Sequence, residues 1–151
     1  MARSLALELV AGRYAVCRLE PGAPVPAWAG AAPTEAAAGA PGGSAGAAPF
    51  VSVTRTAAEL SVVCAEEAVP AGVRCEAGWR CLRVRGPLGF GLTGILASLA
   101  GPLASSGVSI FVVSTYDTDY LMLQQRDLER GVFALERAGH TVDRGGHTVE
   151  R

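Results

Sequence analysis

The chain contains no lysine, so its 13 basic residues are all arginines, set against 14 acidic ones for a formal charge of −1. Those arginines are scattered among Asp and Glu, and phosphate-backbone binding needs a clustered basic face, so nucleic acid is not an expected partner. Without lysine there is no Schiff-base amine. Histidine is almost absent too: only His140 and His147, seven apart in a repeated His-Thr-Val near the C-terminus, with no further ligands close by in sequence. They read as terminal residues rather than metal ligands, so no metal and no cofactor are expected. There is no G-x-S-x-G run, and none of the four cysteines (Cys17, Cys64, Cys75 and Cys81) has a base beside it in sequence. No nucleophile–base pair can be nominated, and the chain does not read as an enzyme. None of the cysteines has C-x-x-C spacing, so neither a zinc site nor a thioredoxin-like motif is indicated. The expectation is buried free thiols in a reducing cytoplasm. Long apolar runs are also missing. The longest, near Ile95 to Leu103, is broken by glycine and proline and is too short to span a bilayer, so no membrane association is expected.

What is present is an apolar, alanine-rich chain of 151 residues, half of them hydrophobic, which suffices for a packed core. Leu5 to Val10 alternates apolar and polar, Gly12 interrupts, and Tyr14 to Leu19 resumes, a pattern that predicts a hairpin. A proline-broken segment with room for one helical turn follows near Trp28. Residues 31–48 are low-complexity Ala/Gly/Pro and predict a flexible surface loop. Residues 49–55 and 59–65 predict a second hairpin, and Trp79 to Arg85 a half-exposed strand. From Leu92 the period changes. Leu92, Ile95, Leu96, Leu99 and Leu103 form one helical stripe, with Pro102 inside it and Gly107 closing it. Val108 to Thr115 reads as a central strand and Tyr120 to Leu123 as the next. A last helix, capped at Asp127, carries Leu128, Val132 and Leu135 inward, and His140 to Val142 closes the pattern. From Trp79 onward the order is βαββαβ, an α+β, ferredoxin-like unit with both helices on one face of the sheet. The first half, rich in strands, reads as a degenerate copy. The expected division is 1–76, 77–143 and a flexible tail, 144–151.

Two places carry chemistry. Gly89-Phe90-Gly91-Leu92-Thr93-Gly94 matches G-x-G-x-x-G at a helix start, with Asp117 downstream where a ribose-binding acid would stand. A dinucleotide fold would need a further crossover, whereas the chain turns back at once after Thr115, so a nucleotide is not expected. The residues leave two readings open: a tight β–α connection, or a glycine-bounded helix N-terminus whose backbone N–H groups receive a carboxylate. Asp117 and Asp119 lie in the following turn. Two carboxylates at that spacing are commonly turn formers, and an acid there can also pair with an amine.

Residues 84–123, VRGPLGFGLTGILASLAGPLASSGVSIFVVSTYDTDYLML, resemble the ACT-domain family, in particular small bacterial tandem-ACT proteins related to aspartokinase-type regulatory domains and to the CASTOR-type arginine sensors. The Thr-Gly-Ile helix start, the Pro-Leu-Ala helix end and the Ser-Ile-Phe…Ser-Thr-Tyr-x-Thr-Asp run carry the likeness, which extends more loosely over most of residues 5–142. The resemblance implies a non-catalytic regulatory module, homodimeric and acting on a protein partner, that binds a free amino acid at an ACT–ACT interface. It assigns Gly89, Phe90, Gly91, Leu92, Thr93 and Gly94 to one wall as backbone donors, and Ser114, Thr115, Tyr116, Asp117 and Asp119 to the other. Asp119 would make the charged contact, with Thr115 and Tyr116 shaping the pocket. A ligand-free interaction or dimerisation module is the alternative.

Overall fold

A computed structural model of the chain describes residues 3–30, 50–86 and 93–145. The expected loop at 31–48, His147 and most of the tail lie outside these residues. Seven strands are described: β1 (Ala6–Leu19), β2 (Ser52–Arg55), β3 (Leu60–Ala65), β4 (Cys75–Val84), β5 (Ile110–Ser114), β6 (Asp119–Gln124) and β7 (Thr141–Asp143). Two helices, α1 (Ile95–Ser105) and α2 (Leu128–Arg137), follow β4 and β6. Short 3-10 turns stand at Ala27–Ala29, Glu66–Ala68 and Gln125–Asp127.

The chain divides into two compact units, residues 1–10 with 80–151, and residues 11–79. This differs from a linear boundary near residue 76, because the first ten residues group with the C-terminal unit. The reason is the first strand. The two alternating segments around Gly12 do not fold back as a hairpin but form the single strand β1. Gly12 sits inside it at φ 90, a left-handed value that glycine adopts without strain. The two halves of β1 have different partners. Ala6 to Glu8 pair in parallel with β7, and Tyr14 to Leu19 pair antiparallel with β3.

In the C-terminal unit the βαββαβ order runs as the sequence pattern predicts. The pairing differs at one place: β7 lies beside β1, not beside β4, so the strands run β7–β1–β4–β6–β5. Leu7, Leu82, Val84, Leu121 and Leu123 meet Leu99 and Leu103 of α1 and Leu128, Val132 and Leu135 of α2 in one buried cluster. Each such side chain contributes about 1.5–3 kcal/mol of transfer free energy. Leu96, expected in the inward stripe, is instead 41% exposed. Gly131 lies on the inward face of α2, where a Cβ would stand 2.6 Å from Leu123 Cδ1, so glycine there lets the helix sit close to β6. Both helices end in the same way. Gly107 and Val108 donate to the carbonyls of Ala104 (3.0 Å) and Leu103 (2.9 Å), and Gly139 and His140 to those of Glu136 (3.0 Å) and Leu135 (3.1 Å).

That second helix end positions His140, which is not a frayed terminal residue but is buried at 4% exposure. Its Nδ1 accepts from the Leu5 N–H at 3.1 Å, and its Nε2 lies 3.1 Å from the Ser98 carbonyl. The Leu5 amide can only donate and the Ser98 oxygen can only accept, so the ring is the neutral tautomer with its proton on Nε2. Pro102 explains why Ser98 needs this partner. It stands four residues on and lacks the N–H that would otherwise bond that carbonyl. Helix α1, the start of β1 and the end of α2 are joined through one imidazole.

In the unit of residues 11–79, β2, β3 and β1 form consecutive antiparallel pairs, as expected for the hairpin of residues 50–65. Ala15, Cys17, Leu60, Val62 and Cys64 share a buried sheet face with Ala29 of the first 3-10 turn, and Trp28 packs against it. Tyr14 is buried as well, its hydroxyl receiving the Phe50 N–H at 3.2 Å.

Candidate functional site

The β5–β6 turn is built by its threonines rather than by its aspartates. Register pairs Ser114 with Asp119, so residues 115–118 form the connection. The Thr115 N–H donates to the Thr118 carbonyl at 2.8 Å, and the Thr118 N–H donates to Thr115 Oγ1 at 3.2 Å. Thr118 is 4% exposed, and its hydroxyl donates to the Val84 carbonyl. The sequence showed Thr118 inside the Ser-Thr-Tyr-x-Thr-Asp run but gave it no role of its own between its two charged neighbours. Apart from that run, its signal was a β-branched hydroxyl at a turn position, which is too common to assign. The bond fastens the turn to the end of β4, immediately before the segment that leads to α1.

The aspartates divide. Asp119, half-buried at the start of β6, receives the Ser114 hydroxyl at 2.6 Å, which orients its carboxylate and leaves acceptor positions over. Asp117 and Tyr116 lie at the exposed tip, Tyr116 at 81% exposure. Of the expected glycine wall, Gly89, Phe90, Gly91 and Leu92 lie outside the described residues. Thr93 and Gly94 are exposed. Gly94 precedes α1 at φ 77, ψ 2 with no side-chain cap, and its carbonyl accepts the first helical bond, from Ser98 at 2.9 Å. Positive φ is why a glycine stands there, and the space where its Cβ would lie is open within 4 Å. Among the described residues no side-chain bond caps the first amides of α1, which carry the partial positive charge of a helix start.

Beside this end of β4, Arg85 donates to Glu8 at 2.6 Å and to Asp143 at 2.9 Å, and Arg83 approaches Glu8 at 3.5 Å. The bonds to Glu8, and then Asp143, raise the Arg85 guanidinium above its ordinary range, and its charge is committed within the sheet. Described residues thus bring together Ser114, Thr115, Thr118 and Asp119 at one end of the unit. No described contact joins them to Thr93 or Gly94. Among the described residues no group of three His, Cys, Asp or Glu has the arrangement to hold a metal ion, and no helix is long and apolar enough to cross a membrane.

The ACT-domain family model matches residues 74–137, and a second model, described as an N-terminal domain of its own family, matches residues 45–72. The human cytosolic arginine sensor for mTORC1 subunit 1 is 37% identical over 60 residues, which is 39% of this chain and 18% of that protein. The chain thus matches less than a fifth of that sensor's length. A solved structure of protein Atu0741 from Agrobacterium tumefaciens is 37% identical, covers 99% of this chain and 100% of its own, and superposes with a TM-score of 0.80. Aspartate kinase from Clostridium acetobutylicum shares the fold at 11% identity and a TM-score of 0.55, over 89% of this chain and 34% of the kinase.

Proposed function

This chain carries an ACT domain over residues 74–137, and we propose that it is a non-catalytic regulatory module that binds a free amino acid. The carrying observation is the Ser114–Asp119 pair: a carboxylate oriented by one hydroxyl, at the sheet end from which the chain proceeds to an open helix N-terminus. An amino acid offers both complements. Its ammonium pairs with Asp119, and its carboxylate accepts from the first amides of α1, with Gly89 to Gly94 supplying the approach. The arginine-sensor relative supports the ligand class. His140, the one histidine described, has both nitrogens engaged in structural bonds, which supports a role without catalysis. Strand β5 ends the strand order, and pairing there with a second copy is the form in which we propose the module works, signalling to a protein partner.

Thermal unfolding against each common amino acid at millimolar concentration tests this. A ligand at a hundred times its dissociation constant stabilises the native state by ~2.7 kcal/mol, and each kcal/mol moves the midpoint by roughly 2–4 °C for a chain of this size. The expected result is a shift of that order with one amino acid, lost in Asp119→Ala. A second reading, a ligand-free interaction module, is favoured by the exposure of Phe133 on α2, at 61%, beneath the Arg137 guanidinium. A flat panel from a folded protein would select it, with Phe133→Glu then expected to abolish association.

A further inference from the structure

Three of the four cysteines meet on one face of the unit of residues 11–79. The Arg18 N–H bonds the Arg74 carbonyl at 2.9 Å where β1 and β4 run side by side. The Arg85 N–H also bonds the Ala6 carbonyl at 2.8 Å, so the two strands run antiparallel, and the Arg18–Arg74 bond then sets Cys17 across from Cys75. It is a non-hydrogen-bonded position of an antiparallel pair, where Cα atoms approach to about 4.5 Å. Disulfides form at Cα separations of roughly 4.4–6.8 Å, a range that includes the spacing of such a pair. Cys64 lies on the other side of Cys17, on β3, one diagonal step away: Cys17 pairs with Val62 and Cys64 with Ala15. Cys64 and Cys75 are thus the thiol neighbours that act on Cys17. All are free thiols; Cys17 and Cys64 are buried and Cys75 is exposed. One thiol of the cluster therefore meets solvent, and the thiol opposite it is shielded.

We propose that Cys75 and Cys17 form an oxidation site, in which a hydroperoxide attacked by the exposed Cys75 leads to a reversible cross-strand disulfide with Cys17. The Cys75 sulfur, as thiolate, attacks the peroxide. An S–O bond forms, the O–O bond breaks, and a proton from solvent completes the leaving water. Cys75 is left as a sulfenic acid. The Cys17 sulfur then attacks the Cys75 sulfur: the S–S bond forms, the S–O bond breaks, and the departing hydroxide takes the Cys17 proton as a second water. Two thiols lose two electrons and two protons, and one hydrogen peroxide becomes two waters. Burial, with its thiol neighbours, pushes Cys17 up to about 12, so at neutral pH it holds its proton and leaves the first step to Cys75. Cys81, fully buried on its own, is the internal control.

The test is titration of the full reduced chain with hydrogen peroxide, followed by intact mass and peptide mapping without reduction. The expected product has lost two hydrogens, carries a Cys17–Cys75 crosslink, unfolds at a higher midpoint and is restored by dithiothreitol. Cys75→Ser abolishes it, Cys81→Ser leaves it unchanged, and Cys17→Ser leaves a sulfenic acid on Cys75 that a dione probe captures. Because Cys75 is exposed, its variant is expected to keep the wild-type circular dichroism, which is checked first. Oxygen additions accumulating on Cys75 while Cys17 stays free overturn the proposal. So do a Cys17–Cys64 bond or a Cys75–Cys75 dimer as the main product.

Discussion

The two units solve the same problem, covering one face of a sheet, with very different material. In the C-terminal unit two helices lay leucines and valines over Leu82, Val84, Leu121 and Leu123. In the unit of residues 11–79 the described cover is a 3-10 turn, and the buried face is largely small: Ala15, Cys17, Ala29 and Cys64 beside Leu60 and Val62. A helix delivers a large side chain to the core every turn, whereas a three-residue turn delivers one or two. Apolar burial, and the cost of disturbing it, should therefore be concentrated in the helical unit.

Equal truncations put that difference to the test. Leu103→Ala and Leu60→Ala each remove a fully buried leucine, one from each unit. Leucine truncations cost about 2–5 kcal/mol, according to how far the site can collapse. Leu103→Ala is expected near the top of that range by urea unfolding and Leu60→Ala near the bottom. Equal losses would mean that the thin face is packed as rigidly as the thick one.

The next largest effect concerns polar links. His140→Ala strands a buried amide and a carbonyl in the helical unit, at about 1–3 kcal/mol each. Tyr14→Phe removes one hydroxyl from the other unit and should cost about 1 kcal/mol. A double-mutant cycle sharpens this. Pro102→Ala returns an N–H to the Ser98 carbonyl, so it should recover more stability in the His140→Ala background than in the wild type.

Alkaline titration compares the thiols. Burial pushes Cys81, in the helical unit, up to about 12, as it does Cys17 together with its thiol neighbours. A raised folded value means the stabilisation is fully present below the unfolded thiol value and is lost as pH rises through the folded one. Stability should therefore decline from about pH 8.5 upward, by about 2 kcal/mol at pH 10.5 for Cys81, and Cys81→Ala should flatten that limb.

The smallest effect is at the surface. Arg144 lies 2.6 Å from Glu129 and holds that carboxyl below its ordinary range, chiefly by their hydrogen bond, whereas Arg18 stands 4.0 Å from Glu59. For Glu129 the stabilisation is present above the unfolded carboxyl value and is lost as pH falls through the lowered folded one. Exposed pairs contribute about 0.2–1 kcal/mol. Glu129→Gln should remove a small acid-side slope.

Much of the helical unit could be read in advance because local rules and global packing agree there. Leu128, Val132 and Leu135 recur at helical spacing and are buried, and Gly107 and Gly139 stand where helix ends need them. The site was legible only in outline. Ser114 and Asp119 could be given roles from sequence, but Thr118, which stood in the same run and fastens their turn to β4, could not, because one hydroxyl among turn residues looks like any other. Gly12 was misleading for a related reason. A glycine between two alternating segments suits a turn or a bulge equally, and nothing local chooses between them.

The sequence by itself determined the periodicities, the helix ends and the absence of lysine, since these follow from neighbours a few residues apart. Only the tertiary structure decided that β1 continues through Gly12, that β7 pairs with it, that His140 supplies the bond Pro102 removes, and that Cys17 faces Cys75. Each of these joins residues far apart in the chain, where pairing depends on which partner strand or helix end arrives, and no local spacing records that.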